Sequence, residues 1–301
     1  MQNKWKILII FGVFIFFAAI SVILAVMLIG DSDFSAITAG EVAVIPLKGE
    51  ITEYSVGEVW VMLNGALNDN AVKAIVLDID SPGGEAYAGR EFMYKVKSAN
   101  GNGTGKKPIV ARIGSVGASG AYHIASATEV IVASEDSITG SLGVVMTLMQ
   151  YHELLDKLGI NVKVITSGER KDIGSPYRNM TEDEEQRLQE IVNKIYEHFI
   201  SDIAVNRNMS LSEVRKLATG DIYLGSEAYD KGLVDKLGNL DDAIEIAAEL
   251  GGIKGEPRVK YVRREPTFYD IFAEGTTNIG YGIGKAFLEV DRPGEDIKLK
   301  I

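Results

Sequence analysis

Three short segments carry residue types that could do acyl-transfer chemistry. The first is Gly114-Ser-Val-Gly-Ala-Ser119-Gly120-Ala-Tyr122, where an apolar run passes through small residues into a helical pattern. A nucleophilic serine needs such a setting: small neighbours admit a substrate, and the N–H of the next residue, Gly120, can meet a developing oxyanion. Residue 121 is Ala, so the G-x-S-x-G elbow of the α/β-hydrolases is not matched. The second segment, Asp80-Ser-Pro-Gly83-Gly84, also lies between an apolar run and a helical pattern. Its glycines permit a sharp turn and a close backbone approach, and amides at a helix start have no internal partner. The third, Ser167-Gly-Glu-Arg-Lys171-Asp-Ile-Gly-Ser-Pro176, reads as an irregular loop. Taken singly, these segments also fit an ordinary turn, a close-packed helix start and a solvated loop.

A serine nucleophile needs a base. The chain has three histidines. His123 follows Ser119 by one helical turn, so its ring projects along the helix surface and not across a cleft at the hydroxyl; His152 and His198 stand in charge-rich helical contexts. All three read as packing or surface residues. A lysine is the other option, although the ordinary lysine pKa of about 10.4 must fall by roughly 3 units, about 4 kcal/mol, for it to act near neutrality.

The elements that must position these residues follow from hydrophobic patterning. Strands are expected at 41–47, 73–79, 108–114, 129–133, 143–149, 161–166 and 258–264, most of them continuous Val/Ile runs of the kind covered on both faces. Helices are expected at 56–67, 85–98, 118–127, 150–158, 182–207, 210–218, 225–231 and 239–250, the long one opened by a Thr181/Glu184 capping box. The alternation is that of an α/β domain. The Gly-rich stretch 275–284 and the tail to residue 301 carry no clear pattern. Asn100-Gly-Asn-Gly-Thr-Gly-Lys-Lys107 is a solvated loop and not a phosphate cradle, because Lys107 stands where a hydroxyl is required.

With 301 residues, 46% of them hydrophobic, the chain can bury a sizeable core. It has no cysteine, which excludes a thiol nucleophile, a disulfide scaffold and Cys-ligated metal. A net charge of −11 argues against a nucleic-acid partner. Ile7 to Ile29 contains no charged residue and as a helix would span about 34 Å, enough for a bilayer core. It is longer than the apolar region of a cleaved signal peptide and lacks a small-x-small site after it. Lys4 and Lys6 precede the run while Asp31 and Asp33 follow it, so residues 1–6 are expected in the cytoplasm and everything after residue 30 outside it. The expected order is a cytoplasmic end (1–6), an anchor (7–29), a linker (30–40), a catalytic domain (41–255) and a C-terminal extension (256–301).

Taken together and in order, S-P-G-G, G-A-S-G-A-Y, T-G-Ser141-L-G-V and S-G-x-x-Lys171-D-x-x-S-P-x-Arg178 resemble the membrane-anchored signal peptide peptidases of the Ser-Lys class, over roughly residues 41 to 250. The resemblance implies a crotonase and Clp-protease-like fold of repeated strand-strand-helix units. It implies Ser119 as nucleophile, Lys171 as general base and Ser141 as the hydroxyl that holds the lysine. Gly84 and Gly120 would supply the oxyanion-hole amides, with Gly83 shaping the turn. It implies no cofactor or metal, peptide substrates left from signal-sequence processing, contact with membrane lipid through residues 7–29, and homo-oligomers whose sites take serine and lysine from neighbouring protomers. A Clp-type triad would need a histidine near Val144, where there is none. A crotonase-type acyl-transfer enzyme or an inactive anchored scaffold would have no use for Ser119, Ser141 and Lys171 together.

Overall fold

The computed structural model describes residues 40–100 and 106–263, with Phe16, Phe17 and Ile20. The described residues between Gly40 and Val262 belong to one compact unit. Three long parallel strands make its centre: β1 (Glu41–Lys48), β2 (Val72–Ser81) and β3 (Ile109–Ala118). Helices α1 (Glu53–Asn68) and α2 (Ala86–Ala99) make the crossovers between them. α1 is started by a Thr52–Ser55 capping box that satisfies two otherwise unpaired amides.

Alternation along the strands divides the core into two layers. Val44, Val76, Val110 and Val130 lie in one row across the sheet and, with Val132 on the same face, pack against Ala243, Ile244, Ala247 and Ala248 of a C-terminal helix, Leu240–Leu250. On the opposite face Ile45, Leu77, Ala111 and Ile131 form a matching row beneath the remaining helices. Both faces are apolar, which is why these segments read as continuous Val/Ile runs.

Beyond β3 the sheet forks. The first half of β3 pairs β4 (Val130–Ala133), and its last residues pair β5 (Ile138–Gly140). The six-residue helix α3 (Gly120–Ala125) connects β3 to β4. Then come α4 (His152–Lys157), the 25-residue α5 (Glu182–Asn206), α6 (Leu211–Leu217), β6 (Ile222–Leu224), α7 (Gly225–Asp230), β7 (Lys236–Leu237), α8 (Leu240–Leu250) and β8 (Arg258–Tyr261). The order β6-β5-β3-β2-β1-β8, with β4 and β7 branching from β3, is parallel except for β5–β6. Because β8 pairs β1, the sheet runs past residue 255, where the catalytic domain was expected to end.

Two expected strands do not form. Residues 143–149 and 161–166 join no ladder among the described residues, and Val145 and Ile165 are each 86% exposed. Their β-forming residues find no partner edge among the described residues, and a strand exists only as half of a pair. The short β5, β6 and β7 were not anticipated. The anchor expected at 7–29 falls outside the described residues except for the helical Phe16, Phe17 and Ile20, as do the linker before Gly40 and the tail beyond 263. Among the described residues no helix is long and apolar enough to cross a membrane.

Candidate active site

Ser119 stands at the end of β3 and caps α3 with φ 53° and ψ −121°. For a residue with a Cβ this is a sparsely populated conformation, costing about 1–3 kcal/mol, and it persists only where its surroundings enforce it. They do so from three sides. The Ser119 N–H donates to the Gly140 carbonyl (2.9 Å), its carbonyl accepts from His123 N (2.9 Å), and the Tyr122 hydroxyl pins α3 by donating to the Leu233 carbonyl (2.8 Å).

The Asp80–Gly84 turn presses against this corner. A Cβ on Gly83, whose φ is 101°, would lie 2.8 Å from Ser119 Cβ and 2.9 Å from Gly120 N. On Gly84 it would overlap the Ile51 carbonyl oxygen. Ile51 N–H donates to the Gly83 carbonyl (2.9 Å) and Glu85 N–H to the Ile51 carbonyl (2.8 Å). This strand-like exchange turns the intervening Gly84 N–H away from Ile51. An ideal Cβ position on Gly120 lies 3.6 Å from Gly84 N, so the two glycine backbones adjoin beside Ser119. Two amides so placed can receive one carbonyl oxygen.

Ser141 arrives through the β3–β5 register. Ala118 pairs Gly140, so the residue after each strand falls side by side: Ser119 and Ser141. Ser141 also has positive φ, 51°, and its N–H donates to the Asp221 carbonyl (2.7 Å). Ser119, Ser141 and Asn208 are the non-glycine residues with positive φ among those described. Both candidate hydroxyls thus occupy strained, enforced positions, and among the described residues the Ser119 hydroxyl has no hydrogen-bond partner.

A cavity of about 450 Å³ opens onto Ser119, Gly84 and Gly120. Its other walls are Tyr87 and Arg90 from α2, His123 from α3, Val144 and Val145 beyond Ser141, and Ile195, His198 and Phe199 from α5. His123 is 4% exposed, its ring centroid 4.8 Å from that of Phe199 and its Nε2 3.2 Å from Asp202 Oδ2. Burial pushes its imidazole below the ordinary value even though Asp202 pulls the other way. Burial acts to raise the Asp202 carboxyl, but His123 and Arg90 together bring it down to about 2. The Arg90 Nε donates to Asp202 (2.8 Å) and its Nη2 to the Tyr94 hydroxyl (3.0 Å). His123 and His198 therefore line the cavity, which their local sequence did not reveal.

Lys171 is not among the residues lining this cavity. It lies in an exposed turn ahead of α5. The Lys171 turn is tied to Glu184 in the first turn of α5, and the nearest cavity residue on that helix, Ile195, is about 16 Å further along its axis. The structure therefore brings together Gly83, Gly84, Ser119, Gly120 and Ser141, and leaves Lys171 apart from them.

A strained serine beside two glycine amides on a parallel α/β sheet is the arrangement of a serine hydrolase. Comparison with known proteins narrows the class. The model of peptidase family S49 matches residues 103–254. A candidate protease of Methanocaldococcus jannaschii is 39% identical over 76% of this chain and 71% of its own length. A candidate signal peptide peptidase SppA of Enterococcus faecium is 37% identical over 59% of this chain and 51% of its own. Among solved structures, a mutant of the 1510-N membrane-bound stomatin-specific protease covers 76% of this chain and 100% of that one, with a TM-score of 0.51 at 16% identity, a likeness of fold. The chain belongs to peptidase family S49. It is a serine protease of the SppA-like kind.

Proposed function

We propose that this protease works through a Ser-Lys dyad: Ser119 as nucleophile, Lys171 as general base, and Ser141 holding the lysine toward the serine. The observation that carries this reading is the paired strain at Ser119 and Ser141, set side by side by the β3–β5 register against the Gly83–Gly84 turn. Lys171 in neutral form takes the Ser119 proton, the alkoxide attacks a peptide carbonyl, and the Gly84 and Gly120 amides hold the oxyanion. The protonated lysine then passes its proton to the leaving amine, and water cleaves the acyl-enzyme.

The placement of Lys171 supports a site assembled between copies. The exposed apolar residues of 143–166 are suited to a second protomer, which would bring its own Lys171 to Ser119. The apolar face of α5 is consistent with this: Leu188, Ile191 and Val192 are only half-buried, whereas Phe199 and Ile203 are buried. With residues 7–29 as anchor and the catalytic domain on the extracytoplasmic side, the substrates are apolar peptides left in the membrane after signal-sequence processing.

The test is complementation between inactive chains. Ser119→Ala and Lys171→Ala should each abolish hydrolysis of a peptide library, and mixing the two should restore part of the activity, because some sites then join an intact serine to an intact lysine. Activity in Lys171→Ala alone would overturn the dyad, and mixtures that stay inactive while assembling normally would overturn the shared site. His123 is the competing base by virtue of its burial beside Asp202. Among the described residues it makes no hydrogen bond to the Ser119 hydroxyl, so His123→Gln should keep activity within about tenfold, and complete loss would favour it over Lys171.

A further inference from the structure

The segment that presents Lys171 has no core of its own. Residues 161–171 are exposed, and the turn is held locally by Lys171 N–H to the Gly168 carbonyl (3.1 Å), Ile173 N–H to Arg170 (3.3 Å) and Ser175 N–H to Asp172 (2.9 Å). Turns of this kind fray unless something anchors them. The anchor is Arg178. Its Nε and Nη2 donate to the two carboxylate oxygens of Asp172 (2.8 and 2.9 Å), and its Nη1 and Nη2 donate to the two of Glu184 (2.8 and 2.6 Å). Glu184 is 5% exposed and accepts from Thr181 N–H (3.0 Å) in the capping box of α5. One planar guanidinium thus joins the residue next to Lys171 to the first turn of a helix whose far half walls the Ser119 cavity. Only arginine has a fork that can grip two carboxylates at once.

We infer that Arg178 is a positioning residue for catalysis, fixing through Asp172 and Glu184 the direction in which Lys171 is offered to a serine; the inference rests on the dyad proposed above. A second tether, Arg170 to Asp183 on the other side of Lys171, joins side chains 58% and 69% exposed and contributes little. The clamp also engages the carboxylate beside the lysine.

The experiment is a mutant cycle on the full chain, read in kcat and KM with a peptide substrate. Arg178→Gln should lower kcat at least tenfold with KM within about threefold. Arg178→Lys should recover only part of kcat, since an ammonium cannot hold both carboxylates bidentately. Asp172→Asn should lower kcat similarly, and the double variant should be no worse than the poorer single one. Arg170→Gln should stay within about twofold. If Arg178→Gln does not fold, Asp172→Asn carries the test. With Lys171→Ala inactive, an Arg178→Gln or Asp172→Asn chain within twofold of the unaltered kcat overturns the clamp and leaves the dyad standing. An active Lys171→Ala chain removes the dyad, and the clamp with it.

Discussion

The central sheet and the arm between Ser141 and Arg178 are made from similar residues and behave differently. β1, β2 and β3 are Val/Ile runs covered along most of their length by helices and neighbouring strands, with only Lys48, Lys73 and Ser115 exposed. The runs at 143–149 and 161–166 have comparable β-forming content, yet among the described residues they pair with nothing and leave Val145, Met149 and Ile165 exposed. The difference lies in partners. The sheet is held by apolar burial, whereas the arm is held by polar contacts: the Arg178 clamp, Tyr151 N–H to the Pro176 carbonyl (3.1 Å) and the Tyr151–Tyr177 ring pair. The candidate nucleophile stands on the rigid region and the candidate base on the one still lacking a partner surface.

The comparison can be broken hardest at the point where the rigid region is tightest. Gly84→Ala places a methyl group against the Ile51 carbonyl oxygen, a backbone atom that cannot move without shifting the turn from Ser119. Peptide hydrolysis should fall more than a hundredfold, and the chain should lose about 1–3 kcal/mol in denaturant unfolding. An active, fully stable variant would show that the turn is not held as tightly as its contacts imply. A matched pair sharpens the contrast next. Leu77→Ala, in a fully buried row, should cost about 2–5 kcal/mol. Ile165→Ser should change the unfolding of the isolated chain by less than about 0.5 kcal/mol while reducing the fraction of oligomer in sedimentation. Equal losses in unfolding would mean that the arm is part of the same core.

How much was legible beforehand follows the same division. The buried strands and most helices could be read because local pattern and final burial agree; the Thr181–Glu184 capping box is present as its spacing predicts. Gly83, Gly84 and Ser119 could be placed at strand ends because turns carry small-residue signatures, whereas Ser141 came only through the family resemblance because β5 was not anticipated. What could not be read depends on long-range pairing. β7 is two residues long and exists only because Val132 and Ala133 lie beside it. The Arg90–Asp202 ion pair in the cavity wall joins residues 112 positions apart, and neither has a local signal. The strands expected at 143–149 and 161–166 failed for the converse reason: the pattern states a capacity to pair, and the described residues offer them no edge.

Acid should separate the two regions by effects smaller than these. In the core, His123 is buried with its imidazole below the ordinary value, so the unfolded chain takes up the proton first. The stability that neutral His123 contributes is complete above about pH 6.5 and is lost as the pH falls below it. In the arm, Arg178 holds Glu184 down to about 2 and Asp172 below its usual range. The stability from those carboxylates is complete above about pH 4.3 and is lost as the pH falls toward 2. The stability of the isolated domain against unfolding should therefore fall modestly from pH 7 to 5, and His123→Gln should flatten that slope. Amide exchange in residues 168–184 should stay constant over the same interval and rise only below about pH 4. If exchange in the arm rose together with the loss of core stability near pH 6, the clamp would not be what holds the Lys171 turn, and the two regions would be one cooperative unit.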